Sequence, residues 1–426
     1  MSNSTTATSP ANLLEFGGFT IPAGCRRIFI TAELEPSNSD PRIQPTGFPD
    51  IGPVLYPDPE PDREKNKGLI CLIDGEAKVG QFLEDVCLSD KYEGTWRSEL
   101  TGLPYIKLTN DGTDKGEFVT STTIDGHRFA SEYVMGAQFA EISAAMKKAF
   151  DEQAAAVKAK EDEAGKNVAA KVPAKKSAAA KPEFVLWVRH LLGMKTKDRC
   201  PASNVPRIFK VAMEYDPMAL LHGFQISVKD KLTFVGLRSP RAITGSVIGL
   251  GCERIAVPGV RFDPIGTAAA SQAIFQKQRI SAKKIEARFC IDVGLLASMR
   301  LGDGDQSKPR LELLLKIALC KVAWFIGEMH TGKRLRSECD LRLVKDGAKF
   351  WLNRIEGDGT AFPFSKIATT ASARLGVTDV ALGFTTGHSP LVLKHDVSKP
   401  KKEGDSAEGE ANNENEAPEK EEGGEE

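Results

Sequence analysis

His127 and Arg128 follow the Asp125-Gly126 turn directly, an imidazole that titrates near neutral pH beside a guanidinium that does not. As a catalyst, His127 would shuttle a proton while RNA is cut by its own 2′-hydroxyl, with Arg128 on the phosphate. As a binder the pair would only stack and hydrogen-bond, and as plain structure His127 would be a satisfied histidine at a strand end. More cations lie downstream. Arg238, Arg241, Arg254 and Arg261 fall in a run that also holds Gly245, Gly249, Gly251 and Gly259, and Lys277, Arg279, Lys283 and Lys284 follow. Arginine offers phosphate a fork of donors, and glycine leaves room for a sugar-phosphate chain to approach. Taken singly, each of these cations reads as solvated surface, and Phe262 and Phe275 read as core rather than as stacking partners for bases.

A third group sits in Asp40–Pro57, DPRIQPTGFPDIGPVLYP, with prolines at 41, 45, 49, 53 and 57. Each proline removes a backbone donor and fixes φ, so the segment is neither helix nor inner strand but extended and stiff. It carries a cation (Arg42), an amide (Gln44), a hydroxyl (Thr46) and an aromatic face (Phe48), flanked by Gly47 and Gly52. That set suits a single-stranded nucleic acid, whose phosphates need cations and whose bases need flat partners. The plain alternative is an ordered loop capping a core with Phe48 as its plug.

Other motifs fall away. Gly327–Lys333, GEMHTGK, has phosphate-loop spacing, but Arg334 stands where Ser or Thr should bind magnesium, and the motif follows a helix instead of opening one. It reads as a helix end capped by Gly332. Gly249 and Gly251 begin a dinucleotide fingerprint that lacks its third glycine. No nucleotide cofactor and no metal is indicated: there is no H-E-x-x-H, no C-x-x-C and no Gly-x-Ser-x-Gly elbow.

The elements that must position these residues interleave without a regular β-α-β period, which predicts an α+β fold. Strands are expected at Cys25–Leu34, Gly68–Ile73, Leu103–Leu108, Glu117–Thr123, Phe224–Val228, Leu232–Leu237, Ala242–Leu250, Ile285–Met299 and Arg334–Leu343, the last with one cationic face. Helices are expected at Ala77–Cys87, Glu183–Met194 and, most clearly, Leu311–His330. From Gly136 to about Ala170 the composition favours helix with only a thin apolar stripe, and Ala169–Pro182 is low-complexity linker. Domain boundaries follow: a flexible 1–20, a first globular part 21–146, a basic insert 147–182 of net charge +4, a second part 183–396, and an acidic disordered tail 397–426.

At 426 residues and 41% hydrophobic content the chain can bury a real core. The whole-chain charge of −1 conceals an asymmetry: Lys399–Glu426 carries −7, leaving +6 on the first 398 residues. A mildly basic body with an acidic tail fits a polyanion binder whose tail shields or spaces the surface, or else a plain solubilising terminus. The eight scattered cysteines read as reduced thiols of a cytoplasmic protein, and no signal peptide or membrane span is expected.

With these residues in view the chain resembles the backbone subunit, a RAMP-superfamily protein, of type I CRISPR surveillance (Cascade) complexes of the I-U subtype, also called I-G. The resemblance rests on the order of short blocks: QPTGFPDIGP (Gln44–Pro53), the Asp74–Cys87 helix, GLPYIKL (Gly102–Leu108), TSTTIDGHRFASEYV (Thr120–Val134), LRSPRAITGSVIG (Leu237–Gly249), GVRFDPIG (Gly259–Gly266) and GKRLRSECDLRL (Gly332–Leu343). In the Asp74 helix the family's Asn-Arg pair is replaced by Gln81-Phe82. The basic insert and the acidic tail are not family features. The resemblance implies a modified RRM-like (ferredoxin-like) palm with finger and thumb insertions, the thumb at 254–282. It further implies a noncatalytic subunit that oligomerises along guide RNA and kinks it at intervals. Its partners would be neighbouring copies, the large and repeat-processing subunits, and target DNA reached through the guide. Guide contact is carried over to Gln44, Thr46, Phe48, His127, Arg128, Arg241 and Arg261, and the basic-residue reading adds Arg42, Arg238 and Arg254. The competing expectations are an RNA-cleaving RAMP-type endoribonuclease using His127 or Asp263, and a scaffold that binds no nucleic acid.

Overall fold

Alternation along Arg27–Pro36 (β1) sends Ile28, Ile30, Ala32 and Leu34 to one face, each at most 3% exposed, while Phe29, Thr31, Glu33 and Glu35 point the other way. The structure, a computed structural model, describes residues 12–395 apart from 41, 46, 49–51, 59–67, 153, 156–182, 195–199, 227–236, 256–278, 336, 338, 354–358, 380, 381, 383 and 385–389. Four further strands join β1: Leu69–Asp74 (β2), Ile243–Ile255 (β3), Lys284–Asp292 (β4) and Asp340–Leu352 (β5). Their order is β5-β1-β4-β3-β2 and every neighbouring pair is antiparallel.

Two helices cover the apolar face. Glu76–Asp85 (α1) comes between β1 and β3 in the chain, and Ser307–Thr331 (α2) between β4 and β5. Setting aside β2, the chain order is β-α-β-β-α-β with sheet order 4-1-3-2, the RRM-like (ferredoxin-like) arrangement. The α+β expectation holds. Gly245 of β3 lets α1 seat closely: a Cβ there would come 2.8 Å from both Val79 and Phe289. α2, about 37 Å long, buries most of its length, and Phe325 packs on Phe82 of α1 and Phe289 of β4. It ends at Gly332, whose φ is +99°, so the phosphate-loop look-alike is a helix terminus.

The opposite sheet face carries charges that meet one another. Lys284 reaches Glu33 (3.4 Å) and Glu286 (2.8 Å), Arg288 also reaches Glu286 (2.8 Å), Arg342 meets Glu35 (2.8 Å), and Arg27 pairs with Asp292. Between α1 and β3 lies an insertion. Its small sheet has the order Phe118–Ser121, Ile106–Thr109, Leu391–Lys394, Gln138–Phe139, and its helices are Phe184–Leu191, Arg207–Tyr215 and Met218–His222.

Several expectations change. Residues 12–22, assigned in part to a flexible terminus, form a hairpin whose Phe19 packs 4.5 Å from Phe350. The Ile285–Met299 strand stops at Asp292, whose carboxylate caps the short helix Val293–Ser298 by accepting from the Leu295 N–H at 2.8 Å. Arg334–Leu343 is not one strand: Lys333–Arg334 folds back onto Asp340–Leu341. Leu391–Lys394 belongs with the insertion, parallel to Ile106–Thr109, and not with the second half of the palm. Most of Leu232–Leu237, the 147–182 insert beyond its first residues, and the acidic tail lie outside the described residues.

Candidate nucleic-acid interface

The segment Ser121–Ser131 leaves the small sheet as a polar turn pinned from within. Ser121 Oγ and Thr123 Oγ1 share a hydrogen bond of 2.7 Å, Thr123 Oγ1 donates to the Gly94 carbonyl at 2.7 Å, and Thr122 Oγ1 accepts from the Ile106 N–H at 3.1 Å. Asp125 Oδ1 takes the His127 backbone N–H at 2.8 Å. Arg128 then adopts φ +54° and turns its side chain inward. His127 stays outside, and the two neighbours part company.

Arg128 is 2% exposed. Its guanidinium pairs with Glu84 of α1, lies 3.4 Å from Asp216 Oδ1 and donates to the Thr122 carbonyl at 3.3 Å. The expected phosphate contact at Arg128 therefore gives way to a structural pin joining the palm helix, the turn and the insertion helices. Beneath it, Lys321 of α2 donates to the Leu83 carbonyl (3.1 Å) and to His222 Nε2 (2.9 Å). Burial, with Lys321, Arg128 and Arg241 nearby, pushes the His222 pKa far down, so the neutral ring accepts the ammonium proton. Burial lowers Lys321 as well, and it lifts Asp216 to about 6 against the pull of Arg128. The sequence signal for this junction was Lys321 itself: a cation inside an apolar helix requires buried partners.

Arg241 and Arg238 are both exposed, and Arg241 is close enough to the junction for its charge to act on His222. Arg241 is exposed just before β3, held by the Ala242 N–H donating to the Leu221 carbonyl at 2.9 Å. Its guanidinium lies over α1, 3.8 Å from where a Gly80 Cβ would be. Arg238 stands opposite Gln225 in the hairpin Phe224–Ile226 and Leu237–Ser239, both side chains exposed. Neither arginine has a carboxylate partner among the described residues. His127 and Gln225 together with Asp125, Glu132 and Tyr133 line a cleft of about 450 Å³. Tyr133 and Gln225 were not singled out in the sequence, which gives no sign that positions 133 and 225 meet.

Arg254 lies elsewhere. Twelve residues separate the ends of β3, roughly 40 Å of extended chain, and Arg254 is near the far one, opposite Ile280 on Arg279–Ser281. That short strand also pairs with Arg42–Ile43, bringing the start of the proline-rich segment to the same end. Arg42 is exposed but bound to Asp40 through contacts of 2.8 and 2.9 Å, and it draws the Asp40 pKa down to about 2. Gln44 is half-buried and its carbonyl accepts from Cys339 Sγ at 3.3 Å. Gly47–Phe48 pairs with Gly52–Pro53. Thr46, Arg261, Phe262, Asp263, Phe275 and Lys277 lie outside the described residues, as does most of the expected thumb. Among the described residues no cluster of three or more His, Cys, Asp or Glu could hold a metal, and no helix is long and apolar enough to cross a membrane.

Residues 28–254, just over half the chain and spanning β1 to the far end of β3, match the family model described as CRISPR-associated protein GSU0053. A chain of a solved CRISPR RNA-guided surveillance complex, pre-nicking, is similar at 12% identity over 82% of this chain and 88% of that one. Its TM-score of 0.31 is too low to bear on fold or function. No curated protein sequence matches the chain.

Proposed function

The chain belongs to the CRISPR-associated protein GSU0053 family, and from that premise we propose that it is the RNA-binding backbone subunit of a cytoplasmic type I-G Cascade complex. Copies line up along a guide RNA, hold its ribose-phosphate chain and leave the bases free to pair with target DNA. The large subunit and the repeat-processing subunit complete the assembly. The observation that carries this reading is the pair Arg238 and Arg241, exposed and unmatched by any described carboxylate, Arg238 standing opposite Gln225, which lines the same cleft as His127. The sheet-face cations Arg27, Lys284, Arg288 and Arg342 are, by contrast, spent on acids. Unmatched guanidinium groups beside a polar turn suit phosphates, and a holder indifferent to sequence needs no base code. Few cations per copy suffice when many copies share one strand.

The subunit so read holds RNA without cutting it. Asp125 Oδ1 accepts from the backbone N–H of His127 at 2.8 Å, a contact that shapes the turn. The test mixes the purified chain with labelled single-stranded guide RNAs of increasing length and counts copies bound by native mass measurement. Copy number rises stepwise with length, and the RNA stays full length with wild type and with His127→Ala. A monomer at every length would overturn the reading, as would cleavage abolished by His127→Ala or Asp263→Ala.

A further inference from the structure

We infer that the cleft beside His127 is a seat for one unpaired nucleobase, a site distinct from the phosphate-holding arginines and resting on the RNA-binding reading above. Tyr133 is 50% exposed. Its ring is held on edge against the His395 ring, centroids 5.4 Å apart at 78°, so its orientation is fixed while half of its surface remains open. Around it the cleft presents Gln225, His127, Asp125 and Glu132. Its volume of about 450 Å³ is in the range of small-ligand sites.

The chemistry of this lining selects the occupant. Asp125 and Glu132 repel a phosphate, and Asp125 keeps Oδ2, the oxygen not taken by the His127 N–H, to accept from an N–H on a base edge. The Gln225 amide both donates and accepts, as a base edge requires, and the Tyr133 ring supplies a stacking plane. The charged part of the nucleotide has its own station nearby, because Arg238 faces Gln225 across the hairpin with both side chains on the solvent side. A nucleotide laid across this edge puts its phosphate on Arg238 and its base on Tyr133. Stacking tolerates every base, so the seat adds affinity without demanding a sequence.

The test measures binding of the full chain to a short single-stranded RNA and to an oligonucleotide of equal length made of abasic ribose-phosphate units. Tyr133→Ala weakens binding of the base-bearing RNA by about tenfold, leaves the abasic strand unaffected, and Tyr133→Phe behaves as wild type. Gln225→Ala repeats the pattern with a smaller loss. Equal weakening on both strands, or no change on either, overturns the base seat alone, the second outcome being the one expected if Tyr133 serves a protein partner. If wild type binds neither strand, the RNA reading falls and the seat with it.

Discussion

The two ends of β3 carry exposed arginines of the same linear run, neither Arg241 nor Arg254 meeting a described carboxylate, and what differs is their company. Before its first residue, Arg241 lies over α1 with no described carboxylate to hold it, and Arg238 stands beside it on the hairpin. Near its last, Arg254 neighbours a short strand whose other partner holds Arg42, already closed onto Asp40. The same contrast recurs within one dipeptide: His127 faces the cleft, whereas Arg128 is consumed by Glu84 and Asp216. Counting cations along the sequence does not separate those that meet an acid from those that, among the described residues, do not.

The sharpest way to break this contrast is at Arg128. Arg128→Ala leaves Glu84 and Asp216 facing each other at the buried junction without their cation, and the chain should lose about 3 kcal/mol of stability in urea unfolding. If Arg128 were a surface phosphate ligand, the loss would stay within about 0.5 kcal/mol, and the distinction between the two ends would blur.

A smaller effect sharpens it through pH. His222 resists protonation when folded, so below about pH 6.5 the unfolded chain binds the extra proton and stability falls as pH drops, by at most about 1.4 kcal/mol per unit. Asp216 works in the opposite sense. Its folded pKa of about 6 exceeds the unfolded one, so from about pH 6 down toward about pH 4 the folded chain binds the extra proton and gains stability. His222→Gln removes the first contribution and leaves the second, and its stability relative to wild type should rise as pH falls from 7 to 5 in chemical unfolding. A pH response identical to wild type would mean that His222 titrates alike in the folded and the unfolded chain.

Much of the fold was legible because burial is periodic. β1, α1 and α2 follow from the alternation of Ile28, Ile30 and Ala32, the spacing of Val79, Phe82 and Leu83, and the apolar length of Leu311–His330. Sheet order was not legible from the residues alone, since β1 pairs with strands that begin near residues 284 and 340; the family resemblance supplied the RRM-like class of the palm. The Ser307–Thr331 helix hides its own exception, Lys321, until His222 and the Leu83 carbonyl are brought to it. Of the candidate site, His127, Arg238 and Arg241 were found as residue types, but their company was not. Gln225 reaches the cleft because its hairpin returns beside the polar turn, and Arg128 turns inward through a φ of +54° that no side-chain type announces. The Arg334–Leu343 strand failed for a related reason: alternation registers faces but is silent about a fold-back within the run.

The central claim, that Arg238 and Arg241 at the first end of β3 hold the guide, is tested most directly by titrating single-stranded RNA across a salt series with wild type, Arg238→Glu/Arg241→Glu and Arg42→Glu. The account predicts that the double variant binds weakly and that its slope of log affinity against log salt flattens by about 1.4, two phosphate contacts at about 0.7 each, while Arg42→Glu stays close to wild type. A double variant indistinguishable from wild type, or an Arg42→Glu loss as large as that of the double, would contradict it.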